Sequence, residues 1–261
     1  MKGDVPLFRC IPWIASFAIA SFAFASQPWA ERSTEVEQIL AKGEVTSIKP
    51  LGEGRNDPKK LTLSLDGSTL SGLWKPIERG KKEWAWESYQ AEVAAYELDK
   101  LLDLRMVPPT VVRTVDGVPG SLQLWVDGCR LFADVRDETP AEPERWERQI
   151  SRMKVFDNLI SNWDRSDRDY LVDSGWGIVL IDHSQAFLST NELSPNPDQI
   201  PERFDKRLVE EIRALEPDAL RFKFGRLLME RQVDAILARR DVLLDRLEKL
   251  IAERGESAVV F

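Results

Sequence analysis

Ser161-Asn162-Trp163-Asp164-Arg165-Ser166-Asp167-Arg168-Asp169-Tyr170-Leu171-Val172 leads, across the turn Asp173-Ser174-Gly175-Trp176-Gly177, into the apolar run Ile178-Val179-Leu180-Ile181 and the pair Asp182-His183. The apolar segments on either side of the turn predict two short strands that bring the acids of this stretch together. Carboxylates in this order suit phosphoryl transfer. Asp164 stands where it would orient an attacking hydroxyl or accept its proton, and Asp169 and Asp182 where they would converge on a Mg²⁺ ion bridging nucleotide phosphates. Upstream, Ile150, Met153, Phe156, Asn158 and Ile160 recur at roughly helical spacing, so a helix over 144–161 delivers the Asp164 loop.

Working back toward the N-terminus, the pattern becomes that of a small β lobe. Thr34-Glu35-Val36-Glu37 fits a capping box and predicts a short helix over 35–42 ending at Gly43. Strands follow from Glu44 to Leu51 and through Leu61, Leu63 and Leu65; Asp66-Gly67 turns the chain into a returning strand that ends at Lys75 before Pro76. A helix is expected from Glu87 to Leu104, then a hairpin of 110–115 and 121–126 around Asp116 to Gly120. Thr139-Pro140-Ala141-Glu142-Pro143 reads as a linker. Beyond the Asp182 segment the chain reads as helical over 201–215 and 217–253, interrupted near Gly225. The expected division is a leader at 1–25, a nucleotide-binding lobe at 26–138 and a catalytic, metal-binding lobe at 139–261.

Lys75 at a strand end and Glu92 on the next helix make the second constellation. A lysine held by a helix glutamate presents a fixed cation to phosphates, whereas a free one loses that geometric effect. Gly52 and Gly54 lie between two strands upstream, where backbone N–H groups of a flap would meet phosphate oxygens; the loop lacks a third glycine. Trp74, Trp84, Trp86 and Trp125 read as core material, with Trp125 also placed where an inter-lobe linker would meet an adenine ring. His183 reads as a structural hydrogen-bonding residue, and Arg239, Arg240 and Arg246 as an exposed helix face.

Composition narrows the remaining choices. The 261 residues carry a net charge of −8, which disfavours nucleic acid as a partner, although Lys59, Lys60, Lys81 and Lys82 form a local basic cluster that reads as a solvated turn. Lys2 and Arg9 precede a charge-free stretch from Cys10 to Ala25 ending in Ala23-Phe24-Ala25, the pattern of a cleaved signal peptide, which predicts export to a periplasmic or secreted location with no transmembrane segment retained. Cleavage leaves Cys129 as the one cysteine, expected to be a buried small residue, and excludes an intramolecular disulfide. With His183 the only histidine, His-rich zinc sites are excluded and chemistry must run through carboxylates and lysine.

Leu73-Trp74-Lys75-Pro76, Glu92-Val93-Ala94-Ala95-Tyr96, Asn162-Trp163-Asp164-Arg165 and Ile181-Asp182-His183-Ser184-Gln185-Ala186-Phe187 together resemble the atypical kinase-like superfamily of type II phosphatidylinositol 4-kinases, HipA-type kinases and the secreted Golgi casein-kinase family. The resemblance spans about residues 45 to 250 and implies an α+β, two-lobed protein-kinase-like fold: a small antiparallel β lobe with one helix, and a larger, mainly helical lobe. It implies that Lys75 contacts phosphates, Glu92 anchors it, Asp164 is catalytic and Asp182 binds metal. Where the lipid-kinase and HipA-type patterns carry Asn five residues after the catalytic Asp, this chain has Asp169, whose carboxylate can also ligate Mg²⁺. The expected function is an exported phosphotransferase moving a phosphoryl group from ATP or another nucleoside triphosphate, with Mg²⁺ or Mn²⁺, to a hydroxyl of a protein, lipid or small molecule. The alternative is a pseudokinase-like nucleotide-binding or scaffold module; transfer of a different nucleotide fragment, such as AMP, is a third.

Overall fold

The computed structural model describes residues 29–52, 57–81 and 86–261. The leader at 1–25, Gly54, Lys82 and Trp84 lie outside the described residues. The first helix, α1 (Ser33–Lys42), ends where the Gly43 N–H reaches the Ile39 carbonyl. Its expected capping box does not form. The helix starts ahead of Thr34, with Arg32 as N-cap and Glu35 bound to the Arg32 guanidinium at 2.7 and 2.9 Å. Glu37 turns instead to the Tyr96 hydroxyl at 2.5 Å and to Lys100 at 2.9 Å.

Three strands follow, β1 (Glu44–Pro50), β2 (Lys59–Leu65) and β3 (Ser68–Lys75). Asp66 and Gly67, both at positive φ, make the two-residue turn between β2 and β3 that matches the twist of the strands. The polar segment after Pro76 forms a minimal ribbon, β4 (Gly80–Lys81) with β5 (Trp86–Glu87). Then comes α2 (Tyr89–Leu101), shorter at both ends than the sequence pattern suggested; its start is set by the Ser88 side chain, which caps it by accepting the Gln90 N–H. The second hairpin, β6 (Thr110–Val115) and β7 (Val118–Leu124), turns on Asp116-Gly117 alone. Pro119 therefore lies inside β7, a position tolerated because the pairing with β3 stops at Lys75 opposite Ser121. These five longer strands form one antiparallel sheet in the order β1-β2-β3-β7-β6. Its inner face, including Leu61, Leu63, Trp74 and Leu122, is covered by Val36, Ile39 and Leu40 of α1. Each such aliphatic side chain contributes about 1.5–3 kcal/mol by leaving water.

The remaining elements are β8 (Arg130–Leu131), α3 (Phe132–Val135), α4 (Pro143–Ile160), β9 (Tyr170–Val172), β10 (Ile178–Leu180), α5 (Lys206–Arg213), α6 (Pro217–Phe224), α7 (Glu230–Arg254) and α8 (Glu256–Val259). β8, β9 and β10 make a small second sheet in the order β10-β9-β8. Residues 201–205, expected as helix, are not helical. The Asp205 carboxylate caps α5 by accepting the Leu208 N–H, and Phe204 is held in a bridge to Val260. A second, larger core unites α4, α5, α6 and α7 with the buried face of α2, so α2 packs with the helical elements as well as along the sheet. No helix among the described residues is long and apolar enough to cross a membrane.

Candidate active site

Lys75 reaches its position because β3 is clamped at its end. A Cβ on Gly120 would lie 2.6 Å from the Trp74 indole nitrogen and 2.7 Å from the Lys75 carbonyl oxygen, so only glycine lets β7 approach β3 this closely. Trp74 itself is buried, and its indole N–H donates to the Arg113 carbonyl. From the strand end the Lys75 ammonium donates to Glu92 at 2.7 Å and to Asp182 at 3.1 Å, joining three elements at one point. Burial alone would lower the lysine pKa, but the Glu92 and Asp182 charges outweigh it and raise it. Burial would likewise raise the Glu92 pKa, yet Lys75 and the His183 side hold it well below the usual carboxylate range.

The second oxygen of Glu92 accepts the His183 backbone N–H at 2.9 Å, which fastens α2 to the chain following Asp182. Asp182 sits at positive φ, a conformation that turns its half-exposed carboxylate out of the β10 direction toward Lys75. The loop after α4 is ordered by Ser161 in the left-handed region and by the Asn162 N–H to the Asp157 carbonyl at 2.8 Å. Asp164 is exposed in the turn that follows. Asp169 accepts both the N–H and the hydroxyl of Ser166, at 2.8 and 2.6 Å, and its carbonyl receives the Ile181 N–H at 3.2 Å. The backbones of Asp169 and Ile181 are thus neighbours, and Asp182 is next in the chain.

Sequence reasoning missed the buried group that organises this loop. Arg165, rather than pairing outward beside Asp164, turns inward to grip Asp157 through two bonds of 2.9 Å. It also donates to the carbonyls of Asp169 and Ile181, the latter at 2.7 Å. Its remaining contact is to His183 Nε2 at 3.0 Å. A guanidinium has only donors, so Nε2 must accept and the imidazole proton sits on Nδ1, facing Glu92 at 3.7 Å. Burial lowers the His183 pKa, Glu92 pulls it up and Arg165 pushes it down, with a net shift below the ordinary value. His183 is therefore a neutral internal link, in line with its structural reading.

Arg239, Arg240 and Arg246 require a correction. Arg239 is fully buried and donates to the carbonyls of Leu159, Leu188 and Thr190; Arg240 and Arg246 donate to those of Leu215 and Pro201. Their backbone partners lie far away in sequence, and helical periodicity carries no sign of them. Cys129 is half-buried rather than buried, and burial followed by the Asp173 and Asp127 charges pushes its thiol up to about 11, leaving it unreactive. Trp125 is also only half-buried and lies under the Lys60 ammonium at 4.0 Å. Gly52 adopts φ 71° with open space beside it.

Most of the chain superposes on two solved structures. One is the structure of hydra Fam20 with sugar, at 15% identity and a TM-score of 0.64, over 87% of this chain and 91% of that one. The other is the Helicobacter pylori proinflammatory kinase CtkA, at 13% identity and a TM-score of 0.50, over 84% of this chain and 97% of that one. The fold is kinase-like. It is an α+β architecture with an antiparallel five-stranded sheet followed by a mainly helical part, as the sequence resemblance implied. No protein-family model and no curated protein matches the sequence.

Proposed function

We propose that this chain is an exported phosphotransferase that moves the γ-phosphoryl group of ATP or another nucleoside triphosphate to a hydroxyl acceptor. The observation that carries the reading is the Lys75 ammonium, pinned by Glu92 and facing Asp182 across the junction of sheet and helical lobe. Residues 26–138 would supply the nucleotide side, with the loop at Gly52 and Gly54 covering phosphates, and 139–261 the catalytic side. In the transfer step the acceptor oxygen bonds to the γ-phosphorus while the bond to the bridging oxygen breaks. The nucleoside diphosphate leaves with that electron pair, and the acceptor proton passes toward Asp164. Lys75 neutralises phosphate charge from a fixed position, so catalysis is mainly positioning and electrostatics.

The donor set fits a hard divalent cation. Asp169 and Asp182 offer oxygen ligands only, and among the described residues no group of three or more Asp, Glu, His or Cys is placed to hold a metal ion. Mg²⁺ commonly takes one or two carboxylates and completes its shell with phosphates and water. When bound, Mg²⁺ or Mn²⁺ would supply charge neutralisation on the phosphates. The acceptor class spans protein, lipid and small-molecule hydroxyls; the sugar in the hydra Fam20 structure supports keeping carbohydrate among them.

One observation favours a second reading, a nucleotide-binding or scaffold module without turnover: one Asp169 oxygen is already taken by Ser166. Nucleotide titration by calorimetry with and without Mg²⁺ tests the common part of both readings. Wild type should bind nucleotide in a metal-dependent way, and Asp182→Ala should abolish the metal dependence. Equal affinity of the two proteins for Mg²⁺-nucleotide removes Asp182 from the metal site.

A further inference from the structure

An open groove of about 910 Å³ runs between the first half of α4, the segment 103–106 after α2 and the start of α5. Gly177 marks the end of the β9–β10 ribbon that reaches it, whereas Asp169 and Asp182 stand at the opposite end, so the groove is separate from the candidate active site. Five arginines border it, in a chain whose net charge is −8. Arg145, Arg148 and Arg152 follow the i, i+3, i+7 spacing of a single face of α4, and Arg105 and Arg207 stand on the other walls. Both sides are braced from behind. The Gln149 amide donates to the Trp176 carbonyl and accepts the Ile178 N–H, each at 2.9 Å, which fixes this face of α4 against the ribbon. Across the groove, the buried Asp99 carboxylate accepts the N–H groups of Arg105, Met106 and Val107 at 3.1, 2.8 and 3.0 Å, and Arg105 is held at φ 60°.

Four carboxylates stand among the five guanidinium groups. Arg105 and Arg207 share Asp103, and Asp205 stays 3.8 Å from Arg152. Glu142 meets Arg145 at 3.4 Å and Glu144 meets Arg148 at 2.6 Å, but these acids are 70% and 72% exposed. Exposed pairs of this kind contribute little, so an incoming carboxylate exchanges with them at small cost. The mixture also selects among anions. A polyanion such as heparin or nucleic acid, charged at every unit, meets the wall carboxylates in like-charge contact, and a membrane surface is too flat to enter a groove. An extended peptide with a carboxylate at every second residue avoids both. Its same-side groups repeat about every 6.6 Å. Arg148 and Arg152, four residues apart on a helix that rises about 1.5 Å per residue, lie about 6 Å apart along the axis. The exposed Pro143 and half-buried Phe261 add apolar surface for the side chains between.

We propose that this groove docks an extended segment of a partner polypeptide in which acidic and apolar residues alternate, its carboxylates exchanging onto the arginine face of α4. The docking is independent of the phosphotransferase reading and stands whether or not the chain turns over nucleotide.

The test uses the full chain without nucleotide and follows the anisotropy of a fluorescein-labelled peptide of alternating Glu and Val, which has no hydroxyl to be phosphorylated. A Lys and Val peptide of equal length and a heparin fragment are the comparisons. The Glu and Val peptide should bind saturably, more weakly as salt rises, and more tightly than either comparison. Arg148→Glu replaces attraction by repulsion at an exposed position and should weaken binding about tenfold. If that variant does not fold, Arg207→Glu, on another wall and 70% exposed, should produce a loss of the same order. Lys249→Glu, exposed on α7 outside the groove, makes the same change in net charge and should leave affinity unaltered. Absence of peptide binding, a Lys and Val peptide or heparin bound as tightly, affinity unmoved by the arginine variants, or an equal loss in Lys249→Glu overturns the proposal. Self-association of the chain in sedimentation velocity that Arg148→Glu abolishes places a second copy in the groove and overturns it as well.

Discussion

His183 shows how a single side chain ties the two halves of the site together. Its backbone N–H donates to Glu92, its Nε2 accepts a hydrogen bond from Arg165, and the ring is completely buried. Because its folded pKa lies below the ordinary 6.5, the unfolded chain binds the proton more readily, and stability must fall as pH drops below that value. Glu92, with its folded pKa below the ordinary 4.5, adds stability that is present above that value and lost as pH falls further. Both groups act in the same direction, toward acid lability. Burial pushes the Asp99 pKa up to about 7, so this carboxyl adds stability as pH falls toward 3.8, and the unfolding midpoint in urea should decline clearly only below that value. In NMR spectra the imidazole of native protein should titrate below the ordinary 6.5. With one histidine in the chain the signal is unambiguous, and a transition near 6.5 contradicts the buried neutral ring.

Among the elements, β3, β7 and α2 decide whether the lysine is usable. Gly120 is the pivot: an alanine there drives a methyl group into the Trp74 ring and the Lys75 carbonyl. Gly120→Ala should cost about 1–3 kcal/mol in denaturant melts by overpacking, and should weaken nucleotide binding more than a remote substitution of equal stability cost. A variant as stable and as tight-binding as wild type shows that β7 does not set the lysine. Much at this scale was legible beforehand. The Asp66-Gly67 turn, the strand end at Lys75 before Pro76, α4 and the break near Gly225 all rest on local chemistry, so composition and periodicity reveal them. The five-residue turn expected around Asp116 to Gly120 was too long, because a strand proline is excluded only where a partner strand needs its N–H. The helix expected from 201 began late because Asp205 served as a cap, a role that depends on the Phe204–Val260 bridge more than fifty residues away in sequence.

Across the whole molecule, buried arginines hold the helical part to the Asp164 loop. Arg165 binds the Asp164 turn to α4 and to β10, and Arg239 joins α7 to the end of α4 and to the chain at Leu188 and Thr190. Neither role was readable from sequence: the acceptors are backbone carbonyls with no sequence signature, whereas Lys75, Glu92, Asp164 and Asp182 stood out by order and spacing. Burial lowers the Arg239 pKa to about 10, which leaves it charged at neutral pH. Arg239→Met keeps the bulk but strands three carbonyls, and should cost about 3 kcal/mol or more by equilibrium denaturation. A loss under about 1 kcal/mol means that those carbonyls find other partners. The central claim concerns transfer itself, and labelled phosphate follows it directly. Wild-type protein incubated with γ-labelled ATP, Mg²⁺ or Mn²⁺ and mixed protein, lipid and polyol acceptors should pass label to a hydroxyl. Asp164→Ala, with nucleotide affinity close to wild type, should do so about 10² to 10⁴-fold more slowly. Equal rates for the two proteins, or no transfer by wild type with any metal and acceptor, would contradict the account.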